Sequence, residues 1–133
     1  MFLAFRAAGA KDWRSNLAIS LDHSGAQHRL QFHHIFPKAQ LKSGYTAREA
    51  DDIANLAFIG GKTNRTISDK PPAVYLPSLI AQHGHEPFAA QAIPTDLPLL
   101  EVSSYKAFLA ERRKRIAARL NAFLEGARPA HSV

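Results

Sequence analysis

The stretch Phe32 to Asp69, FHHIFPKAQLKSGYTAREADDIANLAFIGGKTNRTISD, leaves this chain few ways to fold. Leu30 and Phe32 alternate with Arg29 and Gln31, the two-residue period of a strand. That run delivers His33 and His34 to a loop, because Pro37 cannot continue a central ladder. Thr46-Ala47-Arg48-Glu49 has the spacing of a capping box and starts a short helix over Ala47 to Ile53. Leu56 to Ile59 reads as a second strand, apolar on both sides. Gly60-Gly61 permits a tight turn into a helix that carries Asn64. The expectation is therefore strand, loop, strand, helix. Packed across the two strands, the helix would bring Asn64 to His33 from the opposite side.

The residue types in this stretch suit one chemistry. Side chains of neighbours on an extended segment point to opposite sides, so His33 and His34 take different jobs only if the backbone turns there. A neutral imidazole is a ligand for a divalent metal, and one with a pKa near neutrality is a general base. The asparagine carbonyl ligates hard cations or orients an imidazole. One histidine and one asparagine make a sparse shell, open to water and phosphate oxygens, as a hydrolytic metal site requires. Lys62 and Arg65 would neutralise a scissile or flanking phosphate.

The set His33-His34, Asn55-Leu56 and Lys62-Thr63-Asn64-Arg65 resembles the HNH, or ββα-metal, nuclease motif. Asn55 and Asn64 are nine residues apart, like the corresponding pair in the nuclease domain of RNA-guided HNH effectors. The string HHIFPKAQL…IANLAFIGGKTNRTISDKPPAVYL is similar to the C-terminal nuclease domain of GmrSD-type, modification-dependent restriction endonucleases, over about Asp12 to Leu124. The resemblance implies His33 as first metal ligand and His34 as the base that deprotonates water. It implies Asn55 as the residue that holds the loop and helps orient His34, and Asn64 as second metal ligand. Many HNH enzymes have histidine where this chain has Asn64. The implied cofactor is one divalent ion, Mg2+ first, with Mn2+, Ni2+ or Zn2+ as alternatives. The implied partner is DNA, and the implied setting is the nuclease part of a restriction or defence system; the absence of cysteine fits a cytoplasmic home. In that family a nucleotide-hydrolysing domain precedes the nuclease, so the expectation is a C-terminal fragment of a larger protein, or a stand-alone version.

The rest of the chain adds bounds. Its 133 residues suit one α+β domain, a ββα-metal core wrapped by helices, with residues 1–11 and 127–133 peripheral. A net charge of +6 favours a polyanionic partner, although many soluble proteins are mildly basic. The absence of cysteine excludes disulfides and the zinc-staple form of the fold. The apolar opening Met1 to Phe5 meets Arg6 at once, so it is neither a membrane span nor a signal peptide.

Residues 2–8 suit a helix stopped by Gly9, and Trp13 a core anchor. Leu17 to Leu21 suits a short strand, followed by a turn at Asp22 to Gly25 flanked by exposed His23 and His28. Asp51 and Asp52 are expected to be solvated. Tyr75 to Ile80 suits a short helix stopped near Gly84, with His83 and His85 on the surface. The longest helix runs from Ser103 or Ser104 to Glu125, with Tyr105, Phe108, Leu109, Ile116, Leu120, Phe123 and Leu124 as its apolar stripe. Its other side carries Arg112, Arg113, Lys114, Arg115 and Arg119, either a solvated face or a phosphate-tracking surface. Arg112, Arg113 and Arg115 are candidate nucleic-acid contacts. The alternative to an enzyme is a non-catalytic nucleic-acid-binding or assembly module on the same fold.

Overall fold

The computed structural model describes residues 1–13 and 30–127. The expected strand at 17–21, its turn, and His23 and His28 lie outside the described residues. The class is α+β: a two-stranded antiparallel sheet set among helices. Strand β1 is Leu30–His34 and β2 is Leu56–Gly60, with Phe32 opposite Phe58 and His33 opposite Ala57. Helix α1 spans Phe2–Ala7, α2 Lys38–Leu41 and α3 Ala47–Ala50. Then come α4 at Gly61–Ile67, α5 at Pro72–His83, α6 at Glu86–Ala90 and α7 at Tyr105–Ala127. Among the described residues, no helix is long and apolar enough to cross a membrane.

Strand β2 is buried on both faces, in keeping with its unbroken apolar run. Ala57 and Ile59 enter the main core with Trp13, Phe36, Leu76, Phe88 and Phe108. Phe58 points the other way, into a second cluster with Phe5 and Ile116. Phe2 and Phe5 of α1 meet Phe58 edge-on at 5.3 and 6.1 Å. Residues 2–7 are thus packed on the sheet.

The outer edge of β2 has no third strand among the described residues, yet its polar groups are met by side chains. Gln91 accepts from Phe58 N at 2.8 Å and donates to Phe58 O at 2.7 Å. Asp12 accepts from Gly60 N at 2.7 Å and from the Thr63 hydroxyl. Arg112 donates to Leu56 O at 2.6 Å and to Ala54 O at 2.9 Å. An unpaired strand edge invites pairing with other chains, and these three side chains close it.

Three local expectations are revised. Gly60 has φ −71 and ψ 154, so β2 passes into α4 without a left-handed turn. Among the described residues the positive-φ glycines are Gly9 and Gly84, where helices stop. Helix α3 ends at Ala50 rather than Ile53, because Asp52 begins a separate turn by accepting from Ala54 N. Leu124 is 60% exposed, so the apolar stripe of α7, buried through Ile116 and partly covered at Leu120 and Phe123, ends before it.

Candidate functional site

Strand β1 turns Gln31 and His33 toward α4 and leaves Phe32 60% exposed. His33 and His34 part company through strand alternation alone; the chain turns only after them. His33 is 2% exposed, whereas the His34 side chain is 30% exposed. Both line an open cleft of about 240 Å³ with Asn64, Phe32, Lys38 and Asp69.

Helix α4 crosses the strands as expected. His33 Nδ1 lies 2.9 Å from Asn64 Oδ1, and Asn64 Nδ2 donates to Gln31 Oε1 at 3.1 Å. The other ring nitrogen, Nε2, is 3.0 Å from the Tyr75 hydroxyl on α5. Tyr75 in turn donates to Ile35 O at 2.7 Å. Trp13 meets the His33 ring edge-on at 5.3 Å. Burial pushes the His33 pKa down to about 4, outweighing the Asn64 contact that raises it; the charge of His34 lowers it further. His33 is therefore neutral at pH 7 and available as a ligand.

Three contacts run in a chain: Asn64 Oδ1 to His33 Nδ1, His33 Nε2 to Tyr75, and Tyr75 to Ile35 O. Both ends are carbonyl oxygens, so three protons are needed to fill three contacts. A neutral imidazole and a phenol carry two. With Tyr75 donating to Ile35, Nε2–H donates to Tyr75, and the Nδ1 lone pair faces the Asn64 oxygen. In that tautomer the two acceptors at 2.9 Å would be bridged by a cation or relieved by a rotated Asn64 amide; in the other, Nδ1–H donates to Asn64 and the shortage falls on the Tyr75 contacts. The spacing also fits a metal. Cis ligands at about 2.1 Å in an octahedron stand roughly 3.0 Å apart. Among the described residues no three His, Cys, Asp or Glu side chains gather as a metal cluster, so water and substrate would have to complete the shell.

Asn55 is fully buried and holds the loop that follows the histidines. Its Oδ1 accepts from Phe36 N at 2.8 Å, and its Nδ2 donates to Phe36 O and Ala50 O. Its backbone carbonyl accepts from Ile35 N at 2.8 Å. It makes no hydrogen bond to the His34 ring. The group that does is Asp51, whose Oδ1 lies 2.9 Å from His34 Nε2. Lys38 Nζ is also 2.9 Å from that oxygen. Lys38 first and His34 second hold the Asp51 carboxyl below its usual range. Asp51 is thus more than the solvated carboxylate its sequence context suggests.

The basic residues divide. Lys62 and Arg65 are exposed on α4, and neither makes an ion pair among the described residues. Arg112 does not reach solvent: it is 0% exposed and donates to Ala54 O, Leu56 O and Gln91 O. Its candidacy as a nucleic-acid contact gives way to a structural role in the core. Burial pulls its pKa down to about 9, so it stays charged at neutral pH. Arg113 is exposed but bound to Asp52, and Arg115 bonds Glu111 at 3.0 Å with Asp96 at 3.6 Å. The α7 arginines are thus largely engaged within the protein. Periodicity holds the clue for Arg112: it falls between Tyr105, Phe108, Leu109 and Ile116 on the buried stripe. Tyr75 offers no such signal, since an aromatic at helical spacing reads as core.

No protein-family model, no curated protein and no solved structure matches this chain.

Proposed function

We propose that the chain is a metal-dependent endonuclease of the HNH, or ββα-metal, kind, hydrolysing phosphodiester bonds in DNA. The observation that carries the reading is the His33–Asn64 pair: an imidazole nitrogen and an amide oxygen held 2.9 Å apart at the wall of an open cleft, beside a second histidine. His33 Nδ1 and Asn64 Oδ1 would hold one divalent ion, Mg2+ first, with Mn2+, Ni2+ or Zn2+ also suited to a nitrogen–oxygen pair. Such an ion supplies a Lewis acid that stabilises charge developing on the phosphoryl and leaving oxygens.

The protein's own residues do the rest. His34 takes a proton from water, whose oxygen forms a bond to phosphorus as the bond to the leaving oxygen breaks. Tyr75 fixes the ring of His33, and Asn55 fixes the loop that carries both histidines out of β1. Lys62 and Arg65, beside Asn64 on an exposed helix face, would hold the backbone phosphates. The overall charge of +6 suits that partner.

Supercoiled plasmid incubated with a panel of divalent ions tests the reading. Nicking by the parent chain, abolished by EDTA and by His34→Ala, supports it. DNA binding without nicking under any ion would instead make this a binding module.

A further inference from the structure

We propose that Asp51 is a positioning residue for His34: its carboxylate holds the proton on Nε2 and turns Nδ1 toward the cleft. The inference rests on the reading of His34 as the base and adds the group that prepares it. His34 Nε2 lies 2.9 Å from Asp51 Oδ1. A carboxylate only accepts, so Nε2 carries a proton, and in the neutral ring Nδ1 keeps its lone pair. Nδ1 makes no hydrogen bond to any described residue, and the ring lines the cleft that His33 and Asn64 share.

An exposed ion pair ordinarily contributes little, and the Asp51 side chain is 50% exposed. What distinguishes Asp51 is its frame. It closes α3, whose start is fixed by reciprocal bonds between Thr46 and Glu49. The carbonyls of the two preceding residues are tied to the core: Glu49 O accepts from Tyr105, and Ala50 O accepts from Asn55. Asp51 N itself donates to Ala47 O at 3.0 Å. The carboxylate therefore sits on a fixed backbone although its oxygens meet solvent. Lys38 shares the same oxygen at 2.9 Å and keeps the carboxylate ionised. Asn55 thus serves both histidine and carboxylate at once, bracing the loop after His34 and the helix before Asp51.

The competing role is electrostatic. A carboxylate beside a cleft for DNA repels the phosphates, and it occupies Lys38. If that were all Asp51 did, its removal would lower KM and leave kcat alone. Positioning requires the reverse.

The test compares the full chain with Asp51→Asn and Asp51→Ala. For plasmid nicking, kcat is expected to fall roughly 10- to 100-fold in Asp51→Ala, with KM no higher and metal affinity unchanged. Asp51→Asn, which keeps an acceptor oxygen without the charge, is expected between the two. In parallel, NMR of the His34 ring at pH 8 reads the arrangement without turnover. The parent should show an ordered ring protonated at Nε2; Asp51→Ala should show a mobile ring with mixed tautomers. An unchanged ring, or a loss that falls wholly on metal affinity, overturns the proposal. A parent chain that nicks nothing would sink the nuclease reading, while the ring measurement still decides whether Asp51 orients His34.

Discussion

His33 Nδ1 and Asn64 Oδ1 meet at 2.9 Å although thirty-one residues separate them in the chain. The contact exists because α4 starts directly from the end of β2 and packs back over β1. The chain of three contacts it opens, through Tyr75 to Ile35 O, is short of one proton, and that shortage makes the pair a candidate for a cation. Asn64→Ala is expected to lower the affinity for Mn2+ by at least 10-fold while leaving the fold intact, since Asn64 is only half-buried. Trp13 is the single tryptophan and sits 5.3 Å from the His33 ring, so its emission should report the titration.

Tyr75 takes part through the far nitrogen of the same ring. Tyr75→Phe keeps the packing but removes both the contact to His33 Nε2 and the bond to Ile35 O. Metal affinity is expected to fall about 10- to 100-fold, the usual effect of removing a group that orients a ligand histidine. Equilibrium titration of the variant against the parent checks this, and equal affinities would show that Tyr75 is only core.

The metal-free protein should lose stability in mild acid. The His33 pKa is about 4 when folded, against an ordinary value of 6.5. Between those values the unfolded chain binds a proton that the folded chain refuses. Stability is therefore fully present above pH 6.5 and falls as pH drops toward 4, by about 3 kcal/mol for this group. The groups facing the ring are Tyr75, Asn64, Trp13 and the neighbouring His34. Urea unfolding in EDTA across this range, compared with His33→Gln, isolates the contribution; parallel curves would refute it.

Arg112 and the α4 cations should separate cleanly. Arg112→Leu leaves three carbonyls without donors and is expected to destabilise the fold by about 3 kcal/mol or more. Lys62→Ala and Arg65→Ala should leave stability unchanged. Each should flatten the salt dependence of DNA binding, by about 0.9 in log–log slope for every phosphate it ceases to neutralise. Urea melts and binding isotherms at several salt concentrations distinguish the two effects.

Much of this architecture is legible in the sequence. The capping box at Thr46 and Glu49 forms as its spacing indicates, because both halves are local in the chain. The helix stops at Gly9 and Gly84 follow equally local rules. The meeting of His33 with Asn64 is reachable because strand, strand and helix have one simple way to pack. The roles of Arg112, Gln91 and Asp12 are not. Each meets a strand edge from a distant part of the chain, and nothing local marks a polar side chain as the substitute for a missing strand. Arg112 is deceptive because a run of cations suggests a solvated face, whereas the helical period places that residue inward. Asp51 is inconspicuous for a related reason: an exposed carboxylate gains its meaning only from the imidazole that folding brings to it.

The most direct test is the anomalous scattering of Mn2+ in crystals of the chain grown or soaked with that ion. The expected result is one peak about 2.1 Å from both His33 Nδ1 and Asn64 Oδ1, with water completing the shell. A map with no peak there, and the Asn64 amide turned to donate its own N–H to His33, would contradict the metal site and with it the nuclease.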